Sequence, residues 1–373
     1  MEQQRIILLC MFFQPNVIVD IKMKRIKFLD GLRGIAILLV LCFHAFSKWP
    51  AIMPYGNSYG DFPVFKYGNL GVQLFFLISG FVILMSLEKN KDFGVFFYKR
   101  WLRLFPAILV VTVLIYSTAG FFHERPAGSP DIYSVLPGLT FIDPNCIRII
   151  TGIKINLLEG AFWSLFVEFK FYFVFGICYF TLKQINAIIA IFSMFLLSVL
   201  GTKLNIGFII TLSEFFSFSF YGWFVSGSLA YLYFKSQKKP YLYFSILVGL
   251  LNIFPYRHDL TSLLFSAFIL VLFYTPIYFS KIRIILENSI VLFFGLISYP
   301  LYLIHENMMV SLICKMSKII DIPSILLPVV PISILVLIAY FIVKIAEPFI
   351  RNNLDSVMRI SYRGLKKISS GKN

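Results

Sequence analysis

Charge is what this sequence has least of. Only 14% of its residues are Asp, Glu, Lys or Arg, where a soluble domain carries about a quarter. With 59% apolar residues and a mean hydropathy of +0.83, the chain has more apolar surface than a water-soluble core can hide. Cysteine is thin as well. Cys10, Cys42, Cys146, Cys178 and Cys314 are scattered, odd in number and form no C-x-x-C pair. That argues against a disulfide framework and a structural metal, so no metal site is expected. Period-two alternation is missing, and with it the strands of a membrane barrel. No repeat or low-complexity tract divides the chain.

What is present is a series of continuous apolar runs of helix length. They fall at 31–48, 70–87, 104–122, 161–181, 185–201, 208–234, 240–255, 260–280, 288–312 and 324–345. They predict an all-α fold, a polytopic transmembrane helix bundle of about ten spans surrounded by membrane lipid. Segment 240–255 is short for a span, so it is expected to be tilted or partly interfacial.

The net charge of +16 could suggest a nucleic-acid partner, but none is expected. Most of the 34 Lys and Arg fall in connections that share one side of the membrane if the N-terminus is cytoplasmic. The bias predicts both termini inside and an even number of crossings of an inner or plasma membrane. The division expected is a cytoplasmic segment at 1–27, a membrane domain at 28–351 and a basic cytoplasmic tail at 352–373. The apolar run at 6–13 is too short to span, and "MKRIKFLDGLRG" from Met23 reads as a more natural start. Residues 1–22 are therefore expected to be an over-called start or a loose interfacial segment. Between the third and fourth spans, residues 123–160 form a long outer connection, which is either functional or a surface excursion.

Ionisable residues inside spans cost about 2.5–3.5 kcal/mol each on insertion scales, and they tend to mark function. In "LDGLRGIAILLVLCFHAF" Arg33 and His44 are eleven residues apart. That separation places them within about 20° on one helix face and roughly 16 Å apart along the axis. A snorkelling anchor and a packing hydrogen bond are the plainer readings of this pair. "GAFWSLFVEFKFYFVFG" carries Glu168, with Tyr172 one turn on and Lys170 on another face. "FGLISYPLYLIHENMM" carries Tyr299, Tyr302, His305 and Glu306. "FFYKRWLRLFPA" carries Arg100 and Arg103 at the expected cytoplasmic entry of the third span. There they serve either as positive-inside charge or as planar forks for phosphate. His44, Glu168 and His305 fall in the outer halves of their spans, and the three arginines on the cytoplasmic side.

Taken in order, "FLDGLRGIAILLVLCFHAF", "GVQLFFLISGFVI", "YKRWLRLFPA", "FWSLFVEFKFYF", "GLISYPLYLIHE" and "EPFIR" resemble the acyltransferase-3 family of integral-membrane acyltransferases. The resemblance covers about residues 28–351. It implies transfer of an acyl group, usually acetyl, to a hydroxyl of a cell-surface or lipid-linked glycan, with no permanently bound cofactor. The donor is expected to be a cytoplasmic acyl-CoA, its phosphates held by Arg100 and Arg103 and its arm led inward by Arg33. His44 is expected to act as general base or transient acyl carrier, with Glu168 orienting it. Tyr172, Tyr299, Tyr302 and His305 are expected to contact substrate. A transporter or flippase is the alternative, because buried charges also mark transport paths.

Overall fold

The computed structural model describes residues 26–356, whose regular structure is all helical with no strand among them. The suspected late start at Met23 and most of the basic tail lie outside the described residues. The long helices are α1 (Lys27–Phe46), α2 (Gly71–Leu87), α3 (Phe93–Thr118), α4 (Trp163–Leu182), α5 (Gln184–Lys203), α6 (Gly207–Phe216), α7 (Tyr221–Ser236), α8 (Lys239–Ile253), α9 (Leu260–Tyr278), α10 (Ser289–Met316) and α11 (Val329–Phe341). Past a π-helical turn at Ile342–Ala346, α11 runs on into the final described segment.

Among the described residues, 8 helices are long and apolar enough to cross a membrane, or 9 with the bent pair α6–α7. Short α8 makes a further pass. Side-chain contacts fix which connections share a face. On one face Lys235 pairs with Glu88 at 2.8 Å, Arg283 lies over the rings of Phe28 and Phe234, and Tyr98 donates to Asp355. On the other, Tyr67 donates to Asp259, Tyr59 bonds Ser324, and Lys315 and Lys318 flank Glu124. The chain thus alternates faces, and Lys27 and Ser356 end on the same one. Val113, Ile189, Phe208, Leu264 and Leu337 point outward. Lipid solvates such a surface and water does not. This is a multi-pass membrane protein.

Three boundaries differ from the hydropathy reading. The apolar run 208–234 breaks at Ser217, which adopts a left-handed φ of 62°, and α6 and α7 meet at 71°. The Lys170 ammonium on α4 docks there, bonding Ser217 at 3.1 Å and Asp143 at 2.6 Å. Segment 240–255 does traverse the bundle as α8, starting near Lys235 and ending where Tyr256 meets Gln73 of α2. Helix α3 begins at Phe93, capped by the Asp92 carboxylate accepting from Val95 N–H. Arg100 and Arg103 therefore sit two to three turns inside α3 and not at its entry. The charges of "YKRWLR" lower hydropathy without ending the helix.

The feature that builds the site is the pairing of α1 with α10. Gly34 and Gly295 let the backbones touch: a Cβ on the first would strike the Val291 carbonyl, and on the second the Asp30 carbonyl. Two helices far apart in sequence are thereby held in register, and their polar residues meet.

Candidate active site

Helix α1 offers His44 from its last turn, and α10 offers His305 and Glu306 from mid-length. The two imidazoles stand edge to face with centroids 4.6 Å apart. His305 is fully buried, and its Nδ1 lies 2.7 Å from the Tyr302 carbonyl. A carbonyl only accepts, so Nδ1 carries the proton and Nε2 is a bare acceptor. His44 Nδ1 lies 3.0 Å from the Val40 carbonyl and 3.1 Å from that bare His305 nitrogen. Both partners accept, so His44 Nδ1–H is donated to them. Inferred from this network, the tautomer leaves His44 Nε2 with a free lone pair, facing Glu306 Oε1 at 3.6 Å.

His44 and Glu306 line a cavity of about 370 Å³ together with Phe43, Lys48, Trp49, Asn69, Gln73, Trp163, Tyr302 and Asn307. The long outer connection forms its rim. Pro126 and Ala127 come from the start of that connection, and Gly160 and Ala161 from its end. Asn307 clamps both ends. Its Oδ1 accepts from Ala127 N–H at 2.9 Å, while its backbone N–H and its Nδ2 donate to the two Glu159 oxygens at 2.7 and 2.8 Å. Arg125 donates to the Leu158 carbonyl at 2.7 Å, tying the two ends a second time. Burial and the nearby Glu306 carboxyl push Glu159 above the usual carboxylate range, while the two Asn307 donors pull it back down. The Glu306 carboxylate lies against the turn that leads into α4: a Cβ on Gly160 would stand 2.5 Å from Glu306 Oε2.

A second polar cluster occupies the bundle nearer the other face. Arg33 pairs with Asp30 at 2.8 Å and lies within electrostatic reach of Arg103 and Glu168. Arg100 is only 4% exposed, and its guanidinium faces the rings of Phe96 and Tyr172, each at 5.9 Å. Arg103 is exposed. Glu168 accepts hydrogen bonds from Tyr172, at 2.6 Å, and from Ser79. Tyr299 donates to the Leu104 carbonyl at 3.1 Å. Tyr302 accepts from Ser164 at 2.8 Å, between the two clusters.

The candidate residues therefore divide. His44 and Tyr302 line the cavity, and His305 is buried behind His44. Arg33, Arg100, Arg103, Glu168, Tyr172 and Tyr299 gather below it. The expected Glu168–His44 contact is not formed: Glu168 is held by Tyr172 and Ser79, and the carboxylate against His44 is Glu306. Sequence reasoning gave no role to Glu306, Asn307, Glu159 or Gln73. Glu306 follows His305 directly, but adjacent helical residues point to different faces. Only the α1–α10 register turns both toward one partner.

A sequence profile described as an acyltransferase domain matches residues 26–346. The chain belongs to the acyltransferase-3 family. Among its relatives, a peptidoglycan O-acetyltransferase of Listeria monocytogenes is 31% identical over 108 residues, 27% of this chain and 15% of that protein. An O-acetyl transferase of Shigella phage Sf6 is 29% identical over 178 residues, 46% of this chain and 52% of the relative. An acyltransferase of Streptomyces mycarofaciens is 29% identical over 170 residues, 43% and 41% of the two chains. The chain thus spans at most about half the length of these curated relatives. No solved structure matches.

Proposed function

We propose that this protein transfers an acyl group, most simply acetyl, from a cytoplasmic acyl-CoA to a hydroxyl of a cell-envelope glycan. The observation that carries the reading is the free His44 Nε2 lone pair at the cavity, with a carboxylate beside it. Membership of the family and the relatives' names as O-acetyltransferases support the reaction class. The excess of Lys and Arg on the face holding Lys235 and Arg283 supports a cytoplasmic assignment for that face, and with it both chain ends inside a plasma membrane.

In this scheme His44 Nε2 takes the proton of the acceptor hydroxyl as its oxygen attacks the thioester carbonyl. The C–S bond breaks, the ester C–O bond forms, and the proton passes to the leaving thiolate. Glu306 steadies the imidazolium between those events, the part first expected of Glu168. His305 fixes the tautomer. Arg100 and Arg103 hold the donor's phosphates, with Arg33 in electrostatic reach of both. Apolar walls limit hydrolysis of the thioester.

The reading is tested with isotope-labelled acetyl-CoA added to the cytoplasmic side of membrane vesicles. Label appearing covalently in envelope glycan is the expected result. Unmodified glycan crossing the membrane without label would mark a transporter and reject it. Two variants sharpen the scheme. Arg100→Ala should raise the KM for acetyl-CoA by about 10–100-fold, the loss of a charge-assisted contact, and Arg100→Lys should restore only part of it. Gly160→Ala changes neither histidine nor acid, yet its Cβ displaces the Glu306 carboxylate. A fall in kcat of about tenfold or more is expected, at unchanged protein level in the membrane.

A further inference from the structure

Gln73 has no part in the scheme above, yet it is built into the same cavity. It sits in the first turn of α2, is 8% exposed, and its side chain lines the cavity. Its Oε1 is buried with no hydrogen-bond partner, while its Nε2 makes one long contact with Tyr256, at 3.5 Å. A buried amide oxygen without a donor is destabilising, and a site keeps such a group where a ligand supplies the missing donor.

The rest of the lining says what that donor belongs to. Trp163, Trp49 and Phe43 supply flat apolar faces, and Asn69 and Asn307 supply amides. Lys48 and Glu306 contribute one charge of each sign, so no excess charge selects an ionic group. The volume of about 370 Å³ lies at the small end of ligand sites. Aromatic faces with neutral hydrogen-bonding groups suit the C–H face and the hydroxyls of a pyranose. The size suits one sugar ring, with the remainder of its chain leaving through the rim between Pro126 and Gly160.

We propose that this cavity is the acceptor subsite for a single uncharged sugar residue, stacked on Trp163 and oriented by a hydroxyl that donates to Gln73 Oε1. That bond presents a neighbouring hydroxyl to His44 Nε2, so Gln73 determines which ring position is acylated. The assignment rests on the acyl-transfer reading above and names its acceptor side.

The test uses full-length protein in membrane vesicles, labelled acetyl-CoA as donor, and unacylated glycan extracted from the envelope of cells lacking this protein as acceptor. Gln73→Met keeps size and removes the acceptor oxygen. It should raise the KM for glycan about 5–10-fold while the KM for acetyl-CoA stays within twofold. Trp163→Ala should raise the glycan KM by a similar factor, and Trp163→Phe should recover most of it. Tyr256→Phe removes the other Gln73 contact and should leave the glycan KM at the wild-type value. An unchanged glycan KM in Gln73→Met overturns the subsite, and so does an equal rise in Tyr256→Phe, which would make Gln73 structural. Wild-type protein that puts no His44-dependent label into glycan rejects the acyl-transfer reading itself, and the subsite with it.

Discussion

Replacing His44 with alanine should lower acyl transfer by about 10²–10⁴-fold, the range lost when a positioned general base is removed. The expectation rests on the tautomer. The Val40 carbonyl and the bare nitrogen of His305, itself fixed by the Tyr302 carbonyl, leave His44 only one way to place its proton, on Nδ1. The opposite nitrogen is then a base by default, with no hydrogen atom to lose before it can work. His44→Gln is the stricter variant, because an amide can still hydrogen-bond but cannot carry a proton at neutral pH. Initial rates of label transfer from acetyl-CoA to envelope glycan measure both. Membrane abundance and size-exclusion behaviour check folding, which should change little, since α1 is held mainly by its glycine seam with α10. Transfer at the wild-type rate in either variant would sink the catalytic assignment.

The second large effect is expected at Glu306. Glu306→Gln keeps the volume and the lie of the side chain against Gly160 but removes the negative charge 3.6 Å from His44 Nε2. In a bundle interior a charge pair at that range is far less screened than in water. Its loss should reduce kcat by about 10–100-fold, with the KM for acetyl-CoA nearly unchanged because the donor arginines are untouched. Glu306→Asp, shorter by one methylene, should fall between wild type and Gln. The companion measurement is Glu168→Gln. Glu168 is bonded to Tyr172 and Ser79 beside the arginines, so its loss should appear in donor affinity more than in turnover. The reverse pattern, with Glu168→Gln losing turnover and Glu306→Gln not, would restore Glu168 as the partner of His44.

Much of the fold was legible because lipid imposes a simple rule. Backbone groups in hydrocarbon must satisfy themselves within a helix, so apolar run length alone exposes α1, α2, α4, α5 and α9. The rule fails where helices carry charge or are interrupted by tertiary contacts. Arg100 hides the first turns of α3, and the docking of Lys170 at Ser217 bends what reads as one span into α6 and α7. For the site, the Arg33–His44 spacing and the tyrosine–histidine pattern of α10 were readable as costly groups in the wrong solvent. Which carboxylate serves His44 was not. Both Glu168 and Glu306 lie in apolar helices, and the choice depends on the backbone contact between Gly34 and Gly295. Nothing along a single segment encodes that contact.

The Asn307 clamp has a consequence for how such a protein can diversify. Because one side chain on a rigid helix fastens both roots of the outer connection, the stretch between Ala127 and Leu158 is a closed loop. The entropy of closing a loop grows only slowly with its length, by about 0.6 kcal/mol per doubling. Added length therefore costs least where the stretch is exposed, as at Ile150 and Ile153, and most where it is docked, at buried Phe141 and Cys146 and at Asp143, which holds Lys170. In the proposed function, changes at the exposed part alter the surface offered to a long glycan while His44 and Glu306 keep their places on α1 and α10.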